Sequence, residues 1–486
     1  MDMEFFKMMS EAAFSNPFSD RRIEIDRRIV GAPENSDWHE MLVPLLRVLD
    51  KNIQILSSSA KAMANLRESL KTPDFDEETR AVAVSVLFHV FHQHMNQFDA
   101  LIVEQIAAGD EPCRAPFAFQ CMEKLVGYGF KRADACRYVA MFYQIRRAYF
   151  FISKELVGES PCMKQLRAQL WDNIFTHDIS WYERCLWNRM EDFSTLLLGE
   201  TGTGKGAAAA AIGRSGFIPF NQNSQRFAES FTRAFVSINL SQYPETLIES
   251  ELFGHRKGAF TGAIEKHDGI FARCSPYGAI FLDEIGDVGI PVQIKLLQVL
   301  QERTFTPVGS HDKLRFKGRV IAATNKPIDA LRREGKFRDD FYYRLCSDLI
   351  TVPPLRQRIR ETPRELERLA NHLMQRICGP DLRLPVVDVL KKDFGKNYAW
   401  TGNVRELEQA IRRILLTGTY EGDTAAEPPE GIALSHAVES GSLTAKDLVE
   451  KYCRDLYDTY GNYGEVARRT GLDWRTVKKN VVGNEK

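Results

Sequence analysis

Nowhere does the chain approach the roughly 18 uninterrupted apolar residues of a membrane span, which argues against an integral membrane protein. Net charge is also missing: 65 basic residues face 65 acidic ones, so any nucleic-acid binding must come from a local patch. The nine cysteines include no CxxC pair and form an odd, scattered set. That pattern gives no disulfide framework and fits reduced thiols in a cytoplasm. The first residues, MDMEFFKMMSEAAF, bring acids early and no apolar core, unlike a secretory signal. At 486 residues the chain is too long for one core, and several domains are expected.

Residues 1–155 read as mostly helical. Leu42, Leu45, Leu46, Leu49, Ile53 and Leu56 repeat at helical spacing within Trp38 to Leu56. Thr79 to Ile106 and Ala133 to Ile152 read as two further helices, with Lys71-Thr72-Pro73-Asp74 as a break. Strands do not alternate with helices here, which argues against a phospho-acceptor receiver domain. His89, His92 and His94 cluster in FHVFHQHM. A helix puts positions 89 and 92 on one face, as metal ligation requires, but no further ligand set accompanies them, so structural or surface roles are the simpler reading.

The pattern changes at Leu156. After LVGESPCMKQLRAQLW comes a strand-like Ser194 to Leu198, then Gly199-Glu200-Thr201-Gly202-Thr203-Gly204-Lys205-Gly206, then an alanine-rich helix. Strand, GxxxxGK loop and helix in that order make a phosphate-binding loop. Backbone N–H groups and the helix N-terminus cradle phosphates, and Lys205 neutralises the β and γ charges. Gly206 stands where most such loops place Ser or Thr on Mg²⁺, so the metal needs another ligand. Ala279-Ile280-Phe281-Leu282-Asp283-Glu284 supplies one, since it reads as a buried strand that delivers two carboxylates to a sheet edge. Asp283 is then the Mg²⁺ ligand and Glu284 the group that orients or deprotonates water. A second strand ends in Thr324 and Asn325, the latter within reach of a γ-phosphate or the water.

Arg338 and Arg344 flank Asp339 and Asp340 in GKFRDDFYYRL. Alone these would be weak surface ion pairs, but in a ring ATPase such arginines reach the neighbour's site. In WTGNVREL, Asn403 reads as an N-cap with Glu406 three residues on, placing Arg405 in a first helical turn where the dipole does not favour it. Residues 417–444 read as a Gly/Pro-rich linker. Helices are then expected from about Thr444 to Tyr460, Glu465 to Thr470 and Trp474 to Val481. The last two, joined by Gly471-Leu472-Asp473, form a helix-turn-helix. Residues 464–486 carry a net +3, with base contacts expected from Trp474, Arg475, Thr476 and Lys478, and other cations such as Lys479 on phosphate.

One stretch organises the rest. Gly258-Ala259-Phe260-Thr261-Gly262-Ala263 sets an aromatic between glycines that permit a tight loop. An exposed apolar tip is costly unless it meets a partner; the alternative is a plain turn with Phe260 folded inward.

Together, ELFGHRKGAFTGA, LVGESP, GETGTGKG, AIFLDEIG, AATN, GKFRDDFYYRL, PPLRQR and WTGNVREL make Leu156 to about Leu416 resemble the AAA+ domain of sigma-54-dependent transcriptional activators. The tail resembles their Fis-type helix-turn-helix. The resemblance covers about 300 residues and leaves out residues 1–155. Joined to the helical reading of residues 1–155 as a regulatory domain, it gives a multidomain protein: that mostly α domain (1–155), an α/β P-loop AAA+ ATPase domain with a helical lid (156–416), a linker (417–444) and an all-α DNA-binding domain (445–486). It implies ATP and Mg²⁺ as cofactors, and sigma-54, RNA polymerase, enhancer DNA and copies of itself (a dimer up to a hexameric ring) as partners. By the same resemblance Asn239 is the switch that restrains Glu284, Asn325 is sensor I, Arg338 and Arg344 are fingers acting in trans, and Arg405 is sensor II. Phe260 and Thr261 would touch sigma-54. The chain departs from the family at Gly206, where Glu is usual. Residues 172–193 and 216–232 are longer than the family pattern, either as surface loops or as regulatory contacts. PPLRQRIRET also lacks the usual Arg-Glu-Asp continuation. Two rivals stay open: a non-hydrolysing DNA-binding regulator, and an AAA+ remodeller of another client.

Overall fold

A computed structural model describes residues 2–33, 38–71, 76–379, 386–393, 398–422 and 444–482. Most of the expected linker, the Thr72–Asp74 part of the break and Lys486 lie outside these residues. Among the described residues, no helix is long and apolar enough to cross a membrane.

The described part of the first 155 residues forms eight helices: α1 (Met3–Phe14), α2 (Asp20–Val30), α3 (Trp38–Ser58), α4 (Ala60–Ser69), α5 (Glu77–Gln93), α6 (Met95–Ala108), α7 (Pro116–Tyr128) and α8 (Arg132–Glu155). Local chemistry sets several starts, since Asp2, Ser19, Ser59 and Asp76 each accept a backbone N–H of the first turn. The single helix expected over Thr79 to Ile106 is two. His94 breaks it, with φ −111° and ψ 6°, and its ring Nδ1 donates to the Val90 carbonyl at 2.8 Å. The other histidines are engaged separately. His92 Nδ1 donates to the Phe88 carbonyl at 2.9 Å, while His89 Nε2 meets Gln93 at 2.8 Å. Among the described residues no group of three His, Cys, Asp or Glu is arranged to hold a metal.

The middle of the chain is an α/β layer structure. Five parallel strands, β1 (Thr195–Leu198), β2 (Phe235–Asn239), β3 (Ala279–Asp283), β4 (Arg319–Thr324) and β5 (Asp348–Thr351), pair in the order β2-β3-β4-β1-β5. Their near-continuous apolar sequences are those of strands covered on both faces. On one face lie α9 (Pro161–Phe175) and α10 (Lys205–Gly213), and on the other α11 (Ile290–Glu302) and α12 (Asp339–Leu345). A helical lid follows: α13 (Leu355–Glu361), α14 (Glu365–Cys378), α15 (Val386–Asp393) and α16 (Asn403–Thr417), around its own core with Trp400 at the centre.

The core beneath α9 and α10 does not stop at the sheet. It continues without a break through α8 into the amino-terminal helices, from Phe5 and Phe6 to Val352. The two long stretches noted in the sequence make this join. Residues 216–232 carry a two-stranded ribbon, Phe220–Asn221 with Arg226–Phe227. Phe227 stacks on Tyr143 with ring centroids 4.1 Å apart. Ala115 N donates to the Gln225 carbonyl at 2.8 Å, and Arg226 reaches the Pro112 carbonyl at 2.6 Å. From the other stretch, Tyr182 donates its hydroxyl to Gln144 at 2.8 Å, and Glu183 accepts from Tyr138 at 2.9 Å. Both stretches are therefore contacts with the amino-terminal helices rather than free surface loops.

At the carboxyl end, α17 (Ala445–Tyr460), α18 (Tyr463–Thr470) and α19 (Trp474–Val482) close on Cys453, Val466 and Val477. The middle helix starts two residues before the expected Glu465, because Asn462 caps it by accepting from Gly464 N at 2.8 Å.

Candidate nucleotide site

Strands β1, β3 and β4 all end on one edge of the sheet, where parallel α/β folds gather their chemistry. The loop Gly199 to Gly206 leaves β1 and opens α10. Gly202 has φ +80°, and a Cβ there would lie 2.3 Å from the Gly402 carbonyl oxygen, so this point of contact with the lid needs glycine. Lys205 is buried; its Nζ donates to the Gly199 carbonyl at 2.8 Å and the Glu200 carbonyl at 3.2 Å. Burial pulls this ammonium below its ordinary range, opposed by the Glu284 and Asp283 charges.

Burial pushes the Asp283 carboxyl up, against the pull of Lys205. Asn239 Nδ2 donates to Asp283 Oδ2 at 3.3 Å. The resemblance pointed this amide at Glu284; here strand register decides, because Asn239 on β2 pairs directly with Asp283 on β3. Glu284 lies one residue further and turns away, with φ 56° and ψ 47°. A non-glycine residue in that region is strained, as residues at working sites often are. Glu284 Oε2 accepts from Asn325 N at 3.2 Å, and Asn325 Nδ2 donates to Thr201 Oγ1 at 2.8 Å. The three strand ends are thus linked by side chains.

Two groups here escaped the sequence reading. Arg356 forks onto Glu200 at 2.7 and 2.5 Å, pulling that carboxyl down. Asn403 is not an N-cap: with φ 53°, it donates to Glu200 Oε2 and the Thr201 carbonyl, each at 3.1 Å, and accepts from Leu355 N at 2.8 Å. Glu406 caps instead, accepting from Gly402 N at 2.9 Å. These bonds fasten the lid to the phosphate loop. The sole hint of Arg356 was its place in PPLRQR. Arg405 packs its Cβ by Gly202, and its charge acts on both Lys205 and Asp283.

Arg338 and Arg344 are held elsewhere in their own chain. Arg338 forks onto Asp340 at 2.9 and 2.6 Å; Arg344 donates to the Leu300 carbonyl at 3.0 and 2.8 Å.

The donor set fits Mg²⁺, which takes one or two carboxylates and fills the rest with water and phosphate oxygens. Asp283, desolvated beside the phosphate loop, meets that need without a hydroxyl at position 206. Among the described residues, a Cβ on Gly206 meets no heavy atom within 4 Å. Gly206→Ser is therefore expected to melt no lower than the parent, with a gain up to about 1 kcal/mol from a stiffer unfolded chain, and to keep its ATP turnover. Thermal melting and phosphate release check both; a drop in Tm would contradict the open space.

Phe260 and its neighbours form a compact tip. Gly258 N donates to the Ala263 carbonyl at 2.8 Å and Ala263 N to the Phe260 carbonyl at 3.0 Å, with φ +80° at Gly258 and +100° at Gly262. Phe260 rests edge-on against His255, centroids 4.9 Å apart, yet stays 39% exposed, and Ile264 is 77% exposed. The ring is not folded into the core. In the tail, Trp474, Arg475, Thr476, Lys478 and Lys479 are all exposed on α19. Arg468 and Arg469 instead both bond Glu465, pulling its carboxyl down to about 2.

Residues 181–351 match the model of the Sigma-54 interaction domain. The DNA-binding transcriptional regulator NtrC of Azospirillum brasilense is 33% identical over 361 residues, 67% of this chain and 68% of that protein. The Nif-specific regulatory protein of Klebsiella pneumoniae is 37% identical over 337 residues, 68% of this chain and 58% of that protein. Among solved structures, NtrX from Brucella abortus aligns with 75% of this chain and 79% of its own, at 21% identity and a TM-score of 0.40.

Proposed function

Because this chain belongs to the sigma-54-dependent transcriptional activators and carries their AAA+ ATPase module, we propose that it turns ATP hydrolysis into remodelling of the sigma-54 RNA polymerase closed complex. The observation that carries the reading is the side-chain link between the ends of β1, β3 and β4, in a chain that also presents Phe260 to solvent. Incoming phosphates take Lys205 from the carbonyls it now holds. Glu284 orients the attacking water and accepts its proton. Asn325, already bonded to both Glu284 and Thr201, reports whether the γ-phosphate is present. Asp283 would hold Mg²⁺, which supplies positive charge to the phosphate oxygens. Arg338 and Arg344 complete a neighbouring subunit's site in a ring, from dimer to hexamer, and Arg405 senses nucleotide from the lid. Departure of the γ-phosphate after hydrolysis shifts the 258–263 loop, whose Phe260 and Thr261 engage sigma-54.

In this reading residues 1–155 regulate, 156–416 hydrolyse, 417–444 link, and 445–486 bind enhancer DNA, in the cytoplasm. Arg475→Ala combined with Lys478→Ala is expected to weaken binding to an upstream promoter fragment at least about tenfold, at roughly 1–3 kcal/mol per base contact. Fluorescence anisotropy at fixed salt measures it. Unchanged affinity would favour an AAA+ remodeller whose tail is an adaptor.

A further inference from the structure

A cavity of about 660 Å³ lies between the amino-terminal helices and the 171–184 part of the chain, in the size range of small-molecule sites. Its walls are aromatic: Phe88, Phe91, Phe142 and Tyr149 from α5 and α8, and Trp171 from α9 of the ATPase module. Arg22, Arg80, Arg137 and Arg146 line the same space. Arg22 is buried on Asp26 at 2.8 Å, and Arg146 forks onto Asp99. Arg80 and Arg137 share one carboxylate, that of Glu183, at 3.8 and 3.3 Å; Arg137 also lies 3.5 Å from the more exposed Asp134. Two donors of cavity-lining residues, Arg137 Nε and Trp171 Nε1, are buried with no hydrogen-bond partner among the described residues. Such groups cost free energy until an acceptor arrives. His92 adds no cation, since burial holds it at about 3.

We propose that this cavity binds a small aromatic acid, its ring among the aromatic walls and its carboxylate on Arg80 and Arg137. Stacking suits the walls, and a guanidinium pair suits a planar carboxylate. The acid competes with Glu183, which belongs to the stretch that Tyr182 ties to Gln144. Gln144 in turn donates to the Ser215 carbonyl, just beyond the phosphate-loop helix, at 2.8 Å. Occupancy therefore reaches the ATPase, a consequence that rests on the function proposed above.

The test uses the full chain, with 2-naphthoate as probe and neutral 2-naphthylmethanol as its uncharged counterpart. Tryptophan fluorescence follows binding, and phosphate release follows turnover. Saturable naphthoate binding is expected, about tenfold tighter than the alcohol. Arg80→Gln is expected to remove that preference while leaving the alcohol's affinity unchanged, a result that misfolding would not give. Val84→Phe, which fills the cavity, is expected to weaken both ligands. Equal binding of acid and alcohol, binding indifferent to both substitutions, or no binding of either ligand would overturn the site. Naphthoate binding that leaves turnover unaltered would overturn the link to the ATPase. A chain that binds naphthoate as expected but never hydrolyses ATP would instead refute the proposed function and leave the cavity's assignment standing.

Discussion

Glu284→Gln is expected to lower ATP turnover roughly 10²- to 10⁴-fold, the range of a removed general base, with nucleotide affinity little changed. Glutamine keeps the shape and can still accept from Asn325 N, now at 3.2 Å from Glu284 Oε2, so the strand-end linkage survives. It cannot take a proton from water. Lys205, assigned to the phosphates under the proposed function, is untouched, and binding is therefore expected to persist. Steady-state phosphate release and equilibrium nucleotide titration separate the two effects. Turnover within a few fold of the parent would remove Glu284 from the chemistry. A parent that binds nucleotide and never hydrolyses it would promote the non-hydrolysing regulator instead.

The largest loss of stability is expected from Arg147→Met. This guanidinium is fully buried between α8 and the end of α10, donating to the Arg214 carbonyl at 2.6 Å and the Gly216 carbonyl at 2.7 Å. It also lies over the Tyr143 ring at 4.5 Å. Burial pulls it down to about 10, still far above neutrality, so it is a cation placed at the carboxyl end of the phosphate-loop helix, the favourable end for one. Methionine fills much of the volume but leaves two carbonyls without donors, and the expected cost is about 3 kcal/mol. At roughly 2–4 °C per kcal/mol for a large domain, Tm should fall by about 6–12 °C. Arg147→Lys, able to serve one carbonyl at a time, should fall between. Calorimetry decides, and an unmoved transition would mean that the carbonyls find other donors.

Much of the fold was legible because its signals are local. The phosphate loop and the Asp283–Glu284 strand end each sit inside a dozen residues of sequence, and no tail helix exceeds 16 residues, so spacing alone carries the geometry. What escaped reading depends on distant pairs. Arg356 with Glu200, Asn403 with Leu355, and Arg147 with Gly216 are each joined across long chain separations. Asn403 misled because Asn followed by Glu at the third place is a sound local cap pattern, overridden here by tertiary bonds to the phosphate loop. Asn239 found Asp283 rather than Glu284 because register, invisible in one strand, sets its neighbour. The short, charged α2 offers few apolar residues to periodicity, and no Gly or Pro marks the break at His94.

The unbroken core running from Phe5 to Val352 limits how such proteins can be recombined. Replacing residues 1–155 by a foreign domain would strip the cover from Phe227 and Phe231, leaving a bare apolar scar on residues 156–416. A viable chimera would need to trade residues 172–193 and 216–232 along with residues 1–155, because the two parts are packed as a matched pair.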